Sequence, residues 1–382
     1  MFRHSRKKDL IAIINKNSRF CRTKFLPDLQ KGLSSVSKQV YTTANHEELA
    51  RAIENVGDSR NLAIAAGDGG LILTLGYYFK QHGDKKINVV YIPTGTHDKE
   101  ARELGIYSML AFGSRRDEQR KKFLEDTIKR INHNGDLNWK RRNILKIEYG
   151  LGDERKIDYA FDFLIGAVVK PILSWQGLKK EDIDNSNFIN SQAKYHAMGM
   201  GTTILKTLTQ FIADSESVGV SSAKVSLDGK AMGNDYELYS GFFVSTAEMV
   251  LPFMKPCYLA GHKTKAHAIL TKMHPLEAVK NMPRFMFSKP LDDYPTSIER
   301  PVRKVSVEFK RPEVICFAGE FRRADYVNIE VLPNQVNFAV PNYSGRVYLD
   351  NIFHKVCGLG VKFGGDWAYR KMFIPSKLNG KK

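Results

Sequence analysis

Residues 62–71, Leu-Ala-Ile-Ala-Ala-Gly-Asp-Gly-Gly-Leu, carry the strongest chemical signal in the chain. A short apolar run enters two glycines flanking an aspartate, and a second apolar run, residues 71–75, leaves them. That order reads as buried strand, tight turn and buried helix. Glycines at such a turn let backbone N–H groups approach a ligand closely, and the following helix N-terminus favours negative charge. Gly67, Gly69 and Gly70 could therefore cradle a phosphate. Asp68 would be repelled there unless a metal ion or a transferable proton lay between them. The alternative is a plain strand–helix turn with Asp68 as its N-cap.

The elements needed to position this loop are legible around it. Residues 10–14 form an apolar strand that ends at Asn15 and a polar loop containing Ser18. Helical spacing runs over residues 25–36, and a second strand is expected at residues 40–43. Asn45 and Glu48 make a start like a capping box for a helix with Leu49, Ala52, Ile53 and Val56 on one face. A strand over residues 87–92 leads into Pro93-Thr94-Gly95-Thr96, after which a helix should begin near Asp98. Strands that are continuously apolar and alternate with helices signal a parallel sheet covered on both faces. In such sheets ligands collect at the carboxyl ends of the strands, where Asn15, Asp68 and Thr96 all fall. His97 in the same loop reads as structural more readily than as an acid–base group.

Residues 115–131 read as an exposed helix with Phe123, Leu124, Ile128 and Ile131 inward and a basic face outward. Beyond residue 144 the pattern changes to many short β segments, with one long helical stretch over residues 191–213. The expected fold is an α/β N-terminal doubly wound domain, residues 8–143, and a mainly antiparallel β-sandwich domain, residues 144–341. Residues 342–382 form a tail without an assigned structure.

At 382 residues the chain is long enough for two domains. Its formal charge of +18 favours a polyanionic partner: nucleic acid, anionic lipid or a phosphorylated substrate. Cys21, Cys257, Cys316 and Cys357 lack metal-ligand spacing and read as reduced, which suits the cytoplasm. No apolar run is long enough to span a bilayer. The basic start followed by residues 10–14 is too short for a secretory signal.

Three loops in order then carry a resemblance. After the first strand stands Asn15-Lys16-Asn17-Ser18-Arg19, and after the third Ala66-Gly67-Asp68-Gly69-Gly70. After the fourth strand stands Pro93-Thr94-Gly95-Thr96-His97-Asp98-Lys99-Glu100-Ala101-Arg102. The set resembles the diacylglycerol kinase catalytic family, in its bacterial lipid-kinase and sphingosine kinase-like branch. That family reads N-P-x-S-G, G-G-D-G-T and P-x-G-T-x-N-D-x-A-R at these places. Ser226-Leu227-Asp228-Gly229-Lys230 is similar to its D-G hairpin, and residues 314–320, ending Ala318-Gly319-Glu320, to its strand ending in D-G-E. Residues 331–341 are similar to its last strands. The chain departs from the pattern in placing Asp98 for asparagine, Lys99 for aspartate, Gly70 for threonine and Ala318 for the aspartate of D-G-E.

The resemblance implies an ATP-dependent lipid kinase that uses Mg²⁺ and acts on a hydroxyl of a diacylglycerol-like or sphingoid lipid. By the same resemblance Asp68 would be catalytic and bind the metal, and Glu320 would be the general base. Asn15, Ser18, Gly67, Gly69, Gly70, Gly95, Thr96 and Arg102 would line the nucleotide. Basic clusters at Arg115-Arg116, Arg120-Lys121-Lys122 and Lys140-Arg141-Arg142 suit an anionic membrane surface, giving a cytoplasmic protein peripheral to the inner face of the membrane. Nucleic acid is not expected as a partner, because only charge argues for it, and a homodimer is left open. The alternatives are a catalytically impaired relative that binds nucleotide or lipid and regulates a partner, and a soluble NAD-kinase-like enzyme.

Overall fold

A computed structural model of the chain describes residues 9–22, 25–95, 98–106, 113–132, 137–167, 169, 172–173, 221–248, 256–274, 277, 280–281, 284, 289–291 and 296–341. The expected helix over residues 191–213, the Thr96-His97 pair and the tail from residue 342 lie outside the described residues.

The N-terminal part alternates strand and helix: β1 (Leu10–Asn15), α1 (Phe25–Ser34), β2 (Gln39–Thr43), α2 (His46–Val56), β3 (Asn61–Ala66), α3 (Asp68–His82), β4 (Ile87–Pro93), the short α4 (Lys99–Glu103) and α5 (Gly113–Asn132). The four strands are parallel in the order β4-β3-β1-β2. β1, β3 and β4 are apolar on both sides because each side meets helices, whereas the edge strand β2 is half-buried. Ile11, Ile13, Leu62 and Ile64 pack with Leu49 and Ile53 of α2 and Leu71 and Leu75 of α3. The alternate residues Leu10, Ala12, Ile14, Ala63 and Ala65 pack with Phe25, Leu29 and Leu33 of α1 and Leu124 of α5. Helix α2 begins as its residues suggest. The Asn45 side chain accepts the Glu48 N–H at 2.8 Å, while Glu48 reaches back to accept the Ala44 N–H at 2.7 Å.

The rest is antiparallel: β5 (Asn138–Leu151), β6 (Glu154–Ala160), β7 (Asp162–Gly166), β8 (Ser221–Leu227), β9 (Lys230–Ala231), β10 (Glu237–Tyr239), β11 (Gly241–Ser245), β12 (Ala266–Thr271), β13 (Ser297–Val302), β14 (Lys304–Phe317) and β15 (Glu320–Val340). Here the pattern alternates, as in β14, where Val305, Val307 and Phe309 are buried between exposed Lys304, Ser306 and Glu308. In place of short segments, residues Glu320–Val340 form one long strand, β15. It pairs along its length with β14 and β5, and its Val336–Phe338 end runs parallel to Ile87–Val89 of β4. All the described strands thus join in one mixed sheet, and β5 continues unbroken through residue 143.

Two hairpins turn through left-handed backbone. Asp228-Gly229 joins β8 to β9, and Ala318-Gly319 joins β14 to β15; all four residues have positive φ, between 51° and 80°. Two-residue turns of this handedness match the twist of the flanking strands, and aspartate and glycine tolerate them better than alanine. Ala318 is held at φ 56° because Phe317 and Glu320 pair directly across the turn and because its N–H is bound by Asp162 at 3.0 Å.

The expected outward basic face of α5 needs a correction. Arg120 has no exposed surface; it stacks over the Phe20 ring at 3.8 Å and donates to Asp98 at 3.1 Å. Arg142 likewise turns inward from its basic triplet. Lys121, Lys122, Lys140 and Arg141 are exposed, as expected.

Candidate active site

The ends of β1, β3 and β4 bring three loops into backbone contact. A Cβ on Gly95 would lie 2.7 Å from Gly67 Cα and 2.6 Å from Asp98 Oδ1, and one on Gly70 would lie 3.3 Å from Asn15 Nδ2. The Thr94 N–H donates to Ala66 O at 2.8 Å, and the Phe20 N–H to Thr94 O at 3.0 Å. Only glycines allow loops to approach this closely. Asn15, Gly67, Gly70 and Gly95 are therefore brought together as the sequence suggests. Ser18 closes its own loop instead, its hydroxyl donating to Asn15 O at 2.8 Å. Arg102 is buried within α4.

Gly69 faces outward from this cluster. A Cβ there would meet only Ala318 O, at 3.9 Å. The turn that carries Glu320 is thus laid against the glycine loop, although roughly 250 residues separate them in sequence. Glu320 keeps about a quarter of its side-chain surface in contact with solvent and lies 3.8 Å from Arg322 Nη1. Burial pushes its carboxyl up to about 7, with Asp158 adding to the rise and Arg322 opposing it.

Asp68 is not the N-cap of its own helix. Gly67 is, without a side-chain bond. The Asp68 carboxylate instead serves the start of α4: Oδ2 accepts the Lys99 N–H at 2.7 Å and Oδ1 the Glu100 N–H at 3.2 Å, while Tyr91 Oη also donates to Oδ1 at 3.2 Å. Those amides are the orphan donors of a helix start. Burial, followed by the charges of Asp98 and Glu100, pushes Asp68 up to about 7. Asp98, with φ 46°, turns the chain into α4 and accepts the Gly95 N–H at 2.9 Å.

Behind Asp68 lies a buried ionic cluster that sequence reasoning missed. Lys99 Nζ bonds Asp162 Oδ2 and lies 3.8 Å from Glu100 Oε1. Arg142 bonds Glu100 and, at 2.8 Å, Glu103. Burial pulls the Lys99 ammonium down, but Asp162, Glu100 and Asp68 together outweigh it and hold it above its ordinary range. The only sequence signals were a charge opening the apolar strand β7, at Asp162, and the alternating signs of Lys99-Glu100 and Arg102-Glu103. Breaking one arm of such a cluster strands its partners. Arg142→Met is expected to destabilise the chain by about 3–5 kcal/mol, read as a lowered urea midpoint with an unchanged slope.

The cluster does not fit a magnesium ion held by the protein. Both Asp68 oxygens already accept N–H or O–H donors, and an ammonium sits among the neighbouring carboxylates. Among the described residues no group of three His, Cys, Asp or Glu side chains is arranged to hold a metal ion.

Solved structures with this arrangement of elements place the chain. A candidate diacylglycerol kinase from Bacillus anthracis str. Sterne superposes with a TM-score of 0.57 at 12% identity, covering 87% of this chain and 97% of that one. A second structure, of a diacylglycerol kinase from the same strain, gives 0.55 at 11% identity over the same shares. The chain has the diacylglycerol kinase fold. No protein-family model and no curated protein matches the sequence. At this identity the fold is what is shared. Within the diacylglycerol kinase fold, the glycine loop at Gly67, the loop at Gly95 and the hairpin at Glu320 are three separate segments gathered at one end of the parallel strands.

Proposed function

We propose that this chain is an ATP-dependent lipid kinase that transfers the γ-phosphoryl group to a hydroxyl of a diacylglycerol-like or sphingoid lipid at an anionic membrane face. The observation that carries the reading is the approach of the Ala318 turn to Gly69, where an added Cβ would lie 3.9 Å from Ala318 O, because that turn leads into Glu320, whose carboxyl has a raised pKa. Phosphoryl transfer asks the protein mainly to hold the phosphates, offset their charge and place a base near the attacking hydroxyl.

In this reading the amides of Gly67, Gly69 and Gly70 and the N-terminus of α3 hold the phosphates. Asn15 and Gly95 close the sides of the loop. Glu320 takes the proton from the lipid hydroxyl, for which a pKa near 7 is suited. Asp68 positions α4 and, through it, the buried cluster. Thr96 and Arg102 are proposed only as neighbours of the nucleotide. Exposed Lys121, Lys122 and Arg141 would draw the chain to anionic lipid, each adding about 1 kcal/mol. No helix among the described residues is long and apolar enough to cross a membrane.

The commitment of Asp68 to three donors favours one second reading, a nucleotide- or lipid-binding relative that regulates a partner. Incubating the purified chain with labelled ATP, Mg²⁺ and vesicles of different lipids separates the two. A phosphorylated lipid is the expected product. Nucleotide binding without any labelled lipid would sink the kinase reading and leave the regulatory one.

A further inference from the structure

The buried lysine of the site has a chemical consequence beyond its ion pairs. Lys99 is 9% exposed, yet its ammonium bonds Asp162 and lies 3.8 Å from Glu100, while its backbone N–H is held by a third carboxylate, Asp68, at 2.7 Å. Carboxylates gathered in a low-dielectric interior need a compensating cation. A divalent ion would supply that charge by binding oxygen lone pairs at about 2.0–2.6 Å. Here the compensation is covalently attached to the chain.

We propose that Lys99 is an internal counter-cation, standing in the role of a protein-held metal, so that the free protein binds no divalent ion at this cluster. The lysine also ties the site together. Asp162 holds Lys99 with one oxygen and the Ala318 N–H with the other, at 3.0 Å, so one ion pair links α4 to the turn that carries Glu320. A metal at the same place would have to displace the ammonium or accept its repulsion across a few ångströms, which is strongly unfavourable even at an intermediate dielectric. Arg142 cannot substitute, because its guanidinium is taken by Glu100 and Glu103 on the far side.

The test is a manganese titration of the full chain without nucleotide or lipid, followed by electron paramagnetic resonance. Its outcome is therefore independent of the phosphotransfer reading. Wild type and Lys99→Arg are expected to leave manganese free in solution at millimolar concentration. Lys99→Met keeps much of the side-chain volume but not the charge, and is expected to bind manganese about a hundredfold more tightly. Stoichiometric binding by wild type that Asp162→Asn weakens would overturn the proposal, as would a folded Lys99→Met protein with no gain in affinity. Should Lys99→Met fail to fold, the wild-type titration alone still decides.

Discussion

Replacing Glu320 by glutamine should lower the rate of phosphoryl transfer by about 10²–10⁴-fold, the usual loss on removing a general base. Nucleotide affinity should be unchanged, since the substitution keeps the shape of the side chain and leaves the loop amides in place. The wild-type rate should rise with pH and level off above about 7, as the carboxyl loses its proton, and the glutamine variant should lack that rise. Stability supplies an independent check. Glutamate in the unfolded chain ionises near 4.5, whereas folded Glu320 keeps its proton up to about 7. Between those values the native state binds more protons than the unfolded one, so this group's contribution to stability declines as pH rises and is constant above the window. Glu320→Gln should therefore be more stable relative to wild type at pH about 8 than at pH about 5. Part of the slope should survive in that variant, because Asp68 is raised into the same range by burial and by Asp98 and Glu100. Activity loss accompanied by a lower melting temperature at both pH values would mean that Glu320 supports the turn rather than the chemistry.

Gly95→Ala should produce the second large effect, by a different route. The new methyl would lie 2.7 Å from the Gly67 Cα, which is backbone and cannot move aside, and 2.6 Å from the Asp98 carboxylate that holds the Gly95 N–H. Overpacking of this kind costs about 1–3 kcal/mol, and the displacement falls on the two loops that meet there. Thermal unfolding should show the loss of stability, and nucleotide titration a loss of affinity. Gly69→Ala is the control for folding. Its methyl meets only Ala318 O, at an ordinary 3.9 Å, so the melting temperature should hardly change while ligand approach to the Gly69 amide is hindered. Equal destabilisation by both variants would show that contact with Gly67 is not what makes Gly95 necessary.

The two results bear on different levels of the molecule. Gly95 tests whether the loops form one surface, and Glu320 tests whether that surface performs chemistry. Lys99 stands between them. It leaves the third loop at the start of α4 and reaches Asp162, which in turn holds the turn before Glu320. On the proposal made above, Lys99 would supply the positive charge of the site from the chain itself.

Much of the N-terminal half was legible from residue order. Continuous apolar runs at residues 10–14, 62–66 and 87–92 became buried parallel strands, because each run has to satisfy two helical faces and offers apolar residues to both. Asn45, Leu49, Ala52, Ile53 and Val56 behaved as a capped amphipathic helix, a property local to a few turns. Glycines at positions 67, 69, 70 and 95 marked the loops, since a residue without a side chain is conspicuous in any sequence. What no local pattern could show was which charges are interior. Arg120-Lys121-Lys122 and Lys140-Arg141-Arg142 look uniform, yet Arg120 and Arg142 are buried while their neighbours face solvent. Their partners, Asp98, Glu100 and Glu103, lie 22 to 42 positions away, and burial of a charge is decided by the presence of such a partner rather than by the charge itself.

The order of residues was thus enough to specify the glycine loops, the strands that present them and the candidacy of Asp68 and Glu320. What those carboxylates meet was settled by the packing of distant segments. It made Asp68 an acceptor for the next helix rather than a cap of its own, brought the turn before Glu320 up to Gly69, and put the Lys99 ammonium beside Asp162. The reason is one of range. Apolar periodicity and glycine geometry act over a few residues, whereas compensation between charges acts through space and depends on which distant segments the sheet brings together.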